Sequence, residues 1–246
     1  MIAIHDLKKN FGEVAAVKGV TFTARNSAIT GLLGPNGAGK TTTIRMIGSL
    51  VAIDSGHINI DGVDVQKTPQ DARQLCGLLT DARGLYTRMT ARENIRYYAE
   101  LRGIDSHRSE KTIARFSEWL DMKDILDRRT EGFSQGERMK VAIARALVHE
   151  PANVILDEPT NGLDVMTTRA LRDFIKRLKV EGRTVLFSSH IMQEVAALCD
   201  DIVIISHGRV TAQGSKEDLL AQSGKTTLED AFIVLAGIED HPHEAA

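Results

Sequence analysis

No stretch of this chain approaches the run of roughly 20 apolar residues that a membrane-spanning helix needs. Its opening residues, MIAIHDLKKNFGE, hold no signal-peptide core. The expectation is a cytoplasmic protein, soluble by itself, whose membrane role would come through a partner. Positive charge is not in excess either: 31 Lys and Arg stand against 33 Asp and Glu, a net charge of −2. That balance speaks against a nucleic-acid surface, which calls for a basic stripe. Cysteine is scarce. Cys76 and Cys199, far apart in apolar surroundings, form no disulfide framework and predict reduced, buried thiols. There is no internal repeat and no low-complexity linker. The 246 residues suffice for one sizeable domain or two small ones.

What is present begins with alternation. Ile2, Ile4 and Leu7 mark one strand, and Ala15 to Phe22 a second. Phe11, in the turn between them, either packs on the hairpin or offers a stacking platform for an adenine; the pattern leaves both open.

Next, ITGLLGPNGAGKTTT (29–43) reads as a short apolar strand, a glycine loop and the first turn of a helix. Gly34, Gly39, Lys40 and Thr41 satisfy G-x-x-x-x-G-K-[ST], the phosphate-binding P-loop. Gly34, Gly37 and Gly39 let the backbone turn tightly and bring its N–H groups to an anion. The helix that starts here points its positive end at the same place. Lys40 is placed to reach β- and γ-phosphates, and the Thr41 hydroxyl to hold Mg²⁺.

Ile44, Ile47, Leu50 and Val51 predict a helix that Ser55-Gly56 ends. His57 to Val65 reads as strand, Asp61-Gly62 turn and strand, and Leu75 to Leu79 as another strand. The middle of the chain is helical. Thr90 with Glu93, and Ser134 with Glu137, are capping boxes, the first opening a helix to Arg102 with Gly103 at its end. Residues 81–150 thus read as a helical insert. From Asn153 strands and helices alternate again, which predicts an α/β fold with a mostly parallel sheet covered on both faces. A weak helix carries Leu228, Phe232 and Leu235, and the tail with His241 and His243 reads as a frayed end, not a metal site.

A P-loop says nucleotide, not reaction. Val154-Ile155-Leu156-Asp157-Glu158 is an apolar strand ending in two carboxylates, at the edge of a parallel sheet where ligands bind. Asp157 would complete a Mg²⁺ shell opposite Thr41, and Glu158 can polarise an attacking water as general base. The bland alternative is an acidic pair capping a turn. His190 follows another such strand, where it can hydrogen-bond a γ-phosphate and hold the water.

With these residues in this order, nearly the whole chain, residues 2–237, resembles the ATP-binding subunits of ABC transporters. Gly34, Pro35, Asn36, Gly37, Ala38, Gly39, Lys40, Thr41 and Thr42 look like Walker A, and Val154 to Glu158 like Walker B. Phe133-Ser134-Gln135-Gly136-Glu137 sits at the family signature, with Gln135 in place of a glycine and Glu137 in place of a glutamine. Asn161-Gly162-Leu163-Asp164 resembles the D-loop, His190 the switch histidine, Asp81 the Q-loop glutamine position and Phe11 the adenine-stacking position.

The resemblance implies a RecA-like P-loop NTPase with an N-terminal antiparallel subdomain and an inserted helical subdomain. The ATPase domain would span 1–222 and a C-terminal extension 223–246. It implies ATP and Mg²⁺ as ligands. It also implies a homodimer in which Ser134, Gly136, Glu137 and Asp164 meet the nucleotide held by the other copy. Gly136 would let a phosphate come close. A polytopic membrane permease would be the partner, moved through 81–86, with the chain peripheral on the cytoplasmic face of the membrane. The run after Asp81, the altered signature and the tail are similar to single-domain ATPases of ABC-2-type exporters, sodium-efflux and drug-export subunits among them. The rival readings are a soluble ABC ATPase that uses the dimer switch for regulation, and a P-loop kinase, which would lack the signature helix and the switch histidine.

Overall fold

In the computed structural model, which describes residues 1–80 and 84–238, the early alternation becomes a hairpin. Strands β1 (Ile2–Phe11) and β2 (Val14–Ala24) pair antiparallel and bury Ile2, Ile4, Leu7, Val17, Val20 and Phe22 on one face. Then come β3 (Ile29–Leu33), the glycine loop and helix α1 (Lys40–Ile47). Strands β4 (Ser55–Ile60) and β5 (Val63–Asp64) flank the Asp61-Gly62 turn and complete a four-stranded antiparallel sheet in the order β2-β1-β4-β5.

Helix α1 is shorter than the apolar spacing predicts. It stops at Gly48, where a Cβ would lie 2.2 Å from a Leu78 methyl, and Leu50 is exposed. Ser55-Gly56 therefore belongs to the following strand, not to the end of a helix. A short helix, α2 (Pro69–Gln74), lies where no apolar period announces one. Its cue was Pro69, whose fixed φ suits the first helical position.

Strand β6 (Cys76–Leu79) precedes the helical stretch: α3 (Ala91–Leu101), α4 (Ser106–Trp119), a 3₁₀ turn (Lys123–Ile125) and α5 (Gln135–Leu147). Both capping boxes are formed, the Thr90 and Ser134 side chains each accepting from a backbone N–H three residues on. Then β7 (Asn153–Asp157), α6 (Val165–Val180), β8 (Thr184–Ser189), α7 (Met192–Leu198), β9 (Asp201–Ser206) and β10 (Arg209–Gly214) alternate. Two helices close the described chain, α8 (Lys216–Ser223) and α9 (Leu228–Ala236); α8, opened by the Ser215–Asp218 capping box, has no apolar stripe to betray it.

The second sheet has six strands in the order β10-β9-β3-β8-β7-β6, parallel except for the β10 edge. Its inner strands are apolar on both faces. Val154, Leu156, Val185 and Phe187 join the core shared with the helical stretch, while Ile155, Leu186 and Leu32 join the core under the antiparallel sheet. That is why these strands read as continuous apolar runs. Among the described residues no helix is long and apolar enough to cross a membrane. Neither cysteine is in a disulfide, and burial pushes the Cys76 thiol up to about 12 and raises that of Cys199.

Candidate nucleotide site

The register of the parallel sheet gathers the site. Leu33 lies beside Ser189, and Asp157 beside Ser188, so the residues that follow β3, β7 and β8 emerge together at one carboxyl edge. Such edges are where open α/β sheets bind ligands.

The loop after β3 can only be built from glycine at its tightest points. Gly39 has φ 104°, and a Cβ there would lie 2.7 Å from the Ala16 carbonyl oxygen. The loop delivers Lys40, only 5% exposed. Its Nζ donates to the carbonyls of Gly34 at 2.7 Å and Pro35 at 3.2 Å, and lies 3.3 Å from Glu158 Oε1. A cleft of about 490 Å³ opens in front of it, lined by Phe11, Ala16, residues 36–42, Glu158, Asn161 and His190. Phe11 is 51% exposed, with the Lys9 ammonium 5.5 Å from its ring centroid, and so presents its ring to the cleft and does not sink into the hairpin.

The two carboxylates at the end of β7 have different surroundings. Asp157 is buried, which raises its pKa; hydrogen bonds from Ser188 Oγ at 2.6 Å and Thr41 Oγ1 at 3.2 Å oppose that rise, and the Glu158 charge adds to it. Glu158 takes a left-handed backbone, φ 48°, with its N–H donated to Ser188 Oγ at 2.9 Å. That turn aims its side chain along the cleft, where Oε2 lies 2.7 Å from His190 Nδ1. A carboxylate oxygen can only accept, so Nδ1 carries the proton.

The structure thus brings together Phe11, the glycine loop, Lys40, Thr41, Thr42, Asp157, Glu158 and His190. It leaves Ser134, Gly136, Glu137 and Asp164 out of that cleft. Ser134 caps α5, with its Oγ accepting the Glu137 N–H at 3.2 Å and its own N–H donated to Glu137 Oε2 at 2.8 Å. That bond, with Arg128 3.0 Å from Oε1, holds the Glu137 carboxyl below its usual range. Asp164 caps α6 and is likewise lowered, first by the Thr167 hydroxyl and then by the Thr167 N–H. Within the chain Gly136 packs against Thr167, whose Oγ1 would be 2.9 Å from a Cβ there. Gln135 donates to the Asn161 carbonyl at 2.9 Å, joining the signature turn to the 161–164 loop. Asp81 lies outside the described residues, as do His241 and His243.

Sequence reasoning missed Ser188, and it placed Asn161 in the D-loop without bringing it to the cleft that it lines. A serine on the strand next to an acidic pair carries no local motif; only the register shows that it meets Asp157. Thr41 and Asp157 offer hard oxygen donors that suit Mg²⁺. Among the described residues no three His, Cys, Asp or Glu side chains converge as metal ligands, so phosphate and water would fill the rest of such a shell.

A glycine cradle, a buried lysine and paired carboxylates on a mostly parallel sheet define a P-loop nucleoside-triphosphate hydrolase. The family model described as ABC transporter matches residues 17–161. The chain is similar to the ABC transporter ATP-binding protein NatA of Bacillus subtilis (strain 168), 43% identical over 95% of this chain and 97% of that protein. It is 37% identical to the linearmycin resistance ATP-binding protein LnrL of the same organism, over 98% of this chain and 76% of the relative. The structure of an ATP binding subunit of an ABC transporter superimposes with a TM-score of 0.88 at 30% identity, covering 96% of this chain and 99% of that one. This chain belongs to the ABC transporter family, as an ATP-binding subunit with ATPase activity.

Proposed function

We propose that this chain hydrolyses ATP to power an exporter, working as a homodimer beneath a separate polytopic membrane permease, on the cytoplasmic face of the membrane. The observation that carries this reading is the convergence of Lys40, Glu158 and His190 on one cleft, with Thr41 and Asp157 behind them. Phe11 stacks the adenine. Residues 34–42 wrap the phosphates with backbone N–H groups, and Lys40 neutralises the β- and γ-oxygens. Thr41 and Asp157 would hold Mg²⁺, which would offset the phosphate charge. Glu158 takes the proton of the attacking water, and the His190 imidazole, fixed by its Nδ1 bond, turns its other nitrogen toward the γ-phosphate.

One chain holds only half of each site. Ser134 and Glu137 at the start of α5, Gly136 within it, and Asp164 would close over the nucleotide gripped by a second copy, giving two ATP per dimer. Asp81 would reach the Mg²⁺ through water, and 81–86 would pass the motion on to the permease. Residues 1–222 form the ATPase domain, with 81–150 inserted, and 223–246 a helical extension. The exported substrate is a sodium ion or a drug-like compound; the identity with NatA and LnrL along nearly the whole chain supports an exporter of that branch.

The test is Glu158→Gln. It should bind ATP with near-normal affinity, hydrolyse it very slowly and accumulate as a dimer in light scattering. Normal turnover removes Glu158 from the role, and a strictly monomeric variant at saturating ATP removes the sandwich. Purification from detergent with a polytopic membrane protein checks the partner.

A further inference from the structure

Glu194 is a carboxylate that the roles above leave unused. It lies on α7, four residues past His190, and is 2% exposed. A carboxylate is buried so deeply only where several donors satisfy it. Here the Thr160 hydroxyl donates to Oε2, the Ser189 hydroxyl donates to the same oxygen at 3.3 Å, and the Arg172 guanidinium on α6 lies 3.6 Å from Oε1.

The donors come from telling places. Thr160 is two residues beyond Glu158, on the loop that leaves β7. Ser189 immediately precedes His190 at the end of β8, and its oxygen also accepts the Ile191 N–H at 2.9 Å. That one serine therefore brackets His190 on both sides. The β7–β8 ladder ends with Asp157 beside Ser188. Past that pair, the two loops are joined through the side chains that close on Glu194. Arg172 Nε is buried without a hydrogen-bond partner among the described residues, and the Glu194 carboxylate is the charge that faces this half-buried guanidinium.

We propose that Glu194 is a positioning residue for ATP hydrolysis. It ties the loop carrying Glu158 to the loop carrying His190, and so holds the Nδ1–H···carboxylate contact between them. The inference rests on the roles proposed for Glu158 and His190. A carboxylate suits the task because it only accepts, and so can serve Thr160, Ser189 and Arg172 together; the NH₂ of a glutamine would face a donor.

The test uses the full chain labelled with ¹⁵N-histidine, in parallel with steady-state ATPase assays. In the parent chain the His190 ring should report a single Nδ1-protonated tautomer. In Glu194→Ala and Ser189→Ala it should become a mixture. Displacing a reacting group by about 1 Å can cost on the order of 10²-fold in rate. Accordingly kcat should fall about 10- to 100-fold in Glu194→Gln and Thr160→Val, with KM for ATP within about 2-fold, and Thr160→Ser should recover most of the loss. If Glu194 variants do not fold, Thr160→Val and Ser189→Ala carry the test. A lowered Tm with unchanged kcat per folded molecule overturns the proposal, and so does a His190 tautomer that ignores these substitutions. Turnover that survives both Glu158→Gln and His190→Ala would sink the parent roles instead, and the tautomer readout separates the two failures.

Discussion

Replacing Ser188 with alanine tests whether sheet register builds the site. Ser188 is fully buried on the strand beside Asp157. Its hydroxyl donates to Asp157 Oδ1 at 2.6 Å and accepts the Glu158 N–H at 2.9 Å. Losing a hydrogen bond to a charged group costs about 1.5–3 kcal/mol, and leaving a buried N–H unpaired costs about 1–3 kcal/mol. Against that, Glu158 could relax from its left-handed backbone, φ 48°, recovering about 1–2 kcal/mol. The net is a destabilisation of about 0.5–5 kcal/mol, with its centre near 2–3 kcal/mol. For a chain of this size the central value corresponds to a Tm lower by about 4–12 °C.

The functional effect has a definite sign. Burial raises the Asp157 pKa, and the Ser188 hydroxyl opposes that rise. Without the hydroxyl the pKa climbs further, so Asp157 is protonated at higher pH. The acid limb of Mg²⁺-dependent ATPase activity should move toward neutrality. Urea denaturation gives the first quantity, and a pH–rate profile at saturating ATP gives the second. A stability loss under about 0.5 kcal/mol together with an unmoved acid limb would refute the reasoning.

Three further outcomes can be checked. Gly39→Ala forces a Cβ to within 2.7 Å of the Ala16 carbonyl at φ 104°, so ATP affinity measured by calorimetry should fall at least about 10-fold. Phe11→Ala removes about 1 kcal/mol of stacking, so KM for ATP should rise about 5-fold with kcat unchanged. Burial lowers the His149 pKa to about 4 from 6.5, so the folded chain keeps this imidazole neutral. As pH falls from 6.5 toward 4 the unfolded chain takes up the proton first, and stability is lost across that window. Screening by solvent leaves on the order of 1–2 kcal/mol, which His149→Gln should remove from the pH dependence of urea stability.

Much of the fold was legible because its signals are local. The capping boxes at Thr90 and Ser134 each span four residues, and both helices start where those residues say. The apolar runs around Val154 and Val185 announced strands buried on both faces. Where length or amphipathicity failed, so did the reading. Helix α2 has six residues and one buried position, α8 has no apolar stripe, and α1 ends at a glycine chosen for its contact with Leu78. Glu194 gave no sign of burial, since an isolated glutamate on a helix normally faces water.

By itself the sequence determined the parts that act within a few residues: the glycine torsions of the phosphate loop, the lysine and threonine that follow it, the capped start of α5 and the acidic end of β7. Glycine spacing and cap chemistry dictate local backbone geometry wherever they occur. Only the tertiary structure decided which of these parts meet. Lys40 reaches Glu158, Ser188 reaches Asp157, and Thr160 and Ser189 share Glu194, because parallel strands far apart in the chain lie side by side in one register. Ser134 and Glu137 stay out of the cleft's lining, while Gln135 between them reaches its rim through the Asn161 carbonyl.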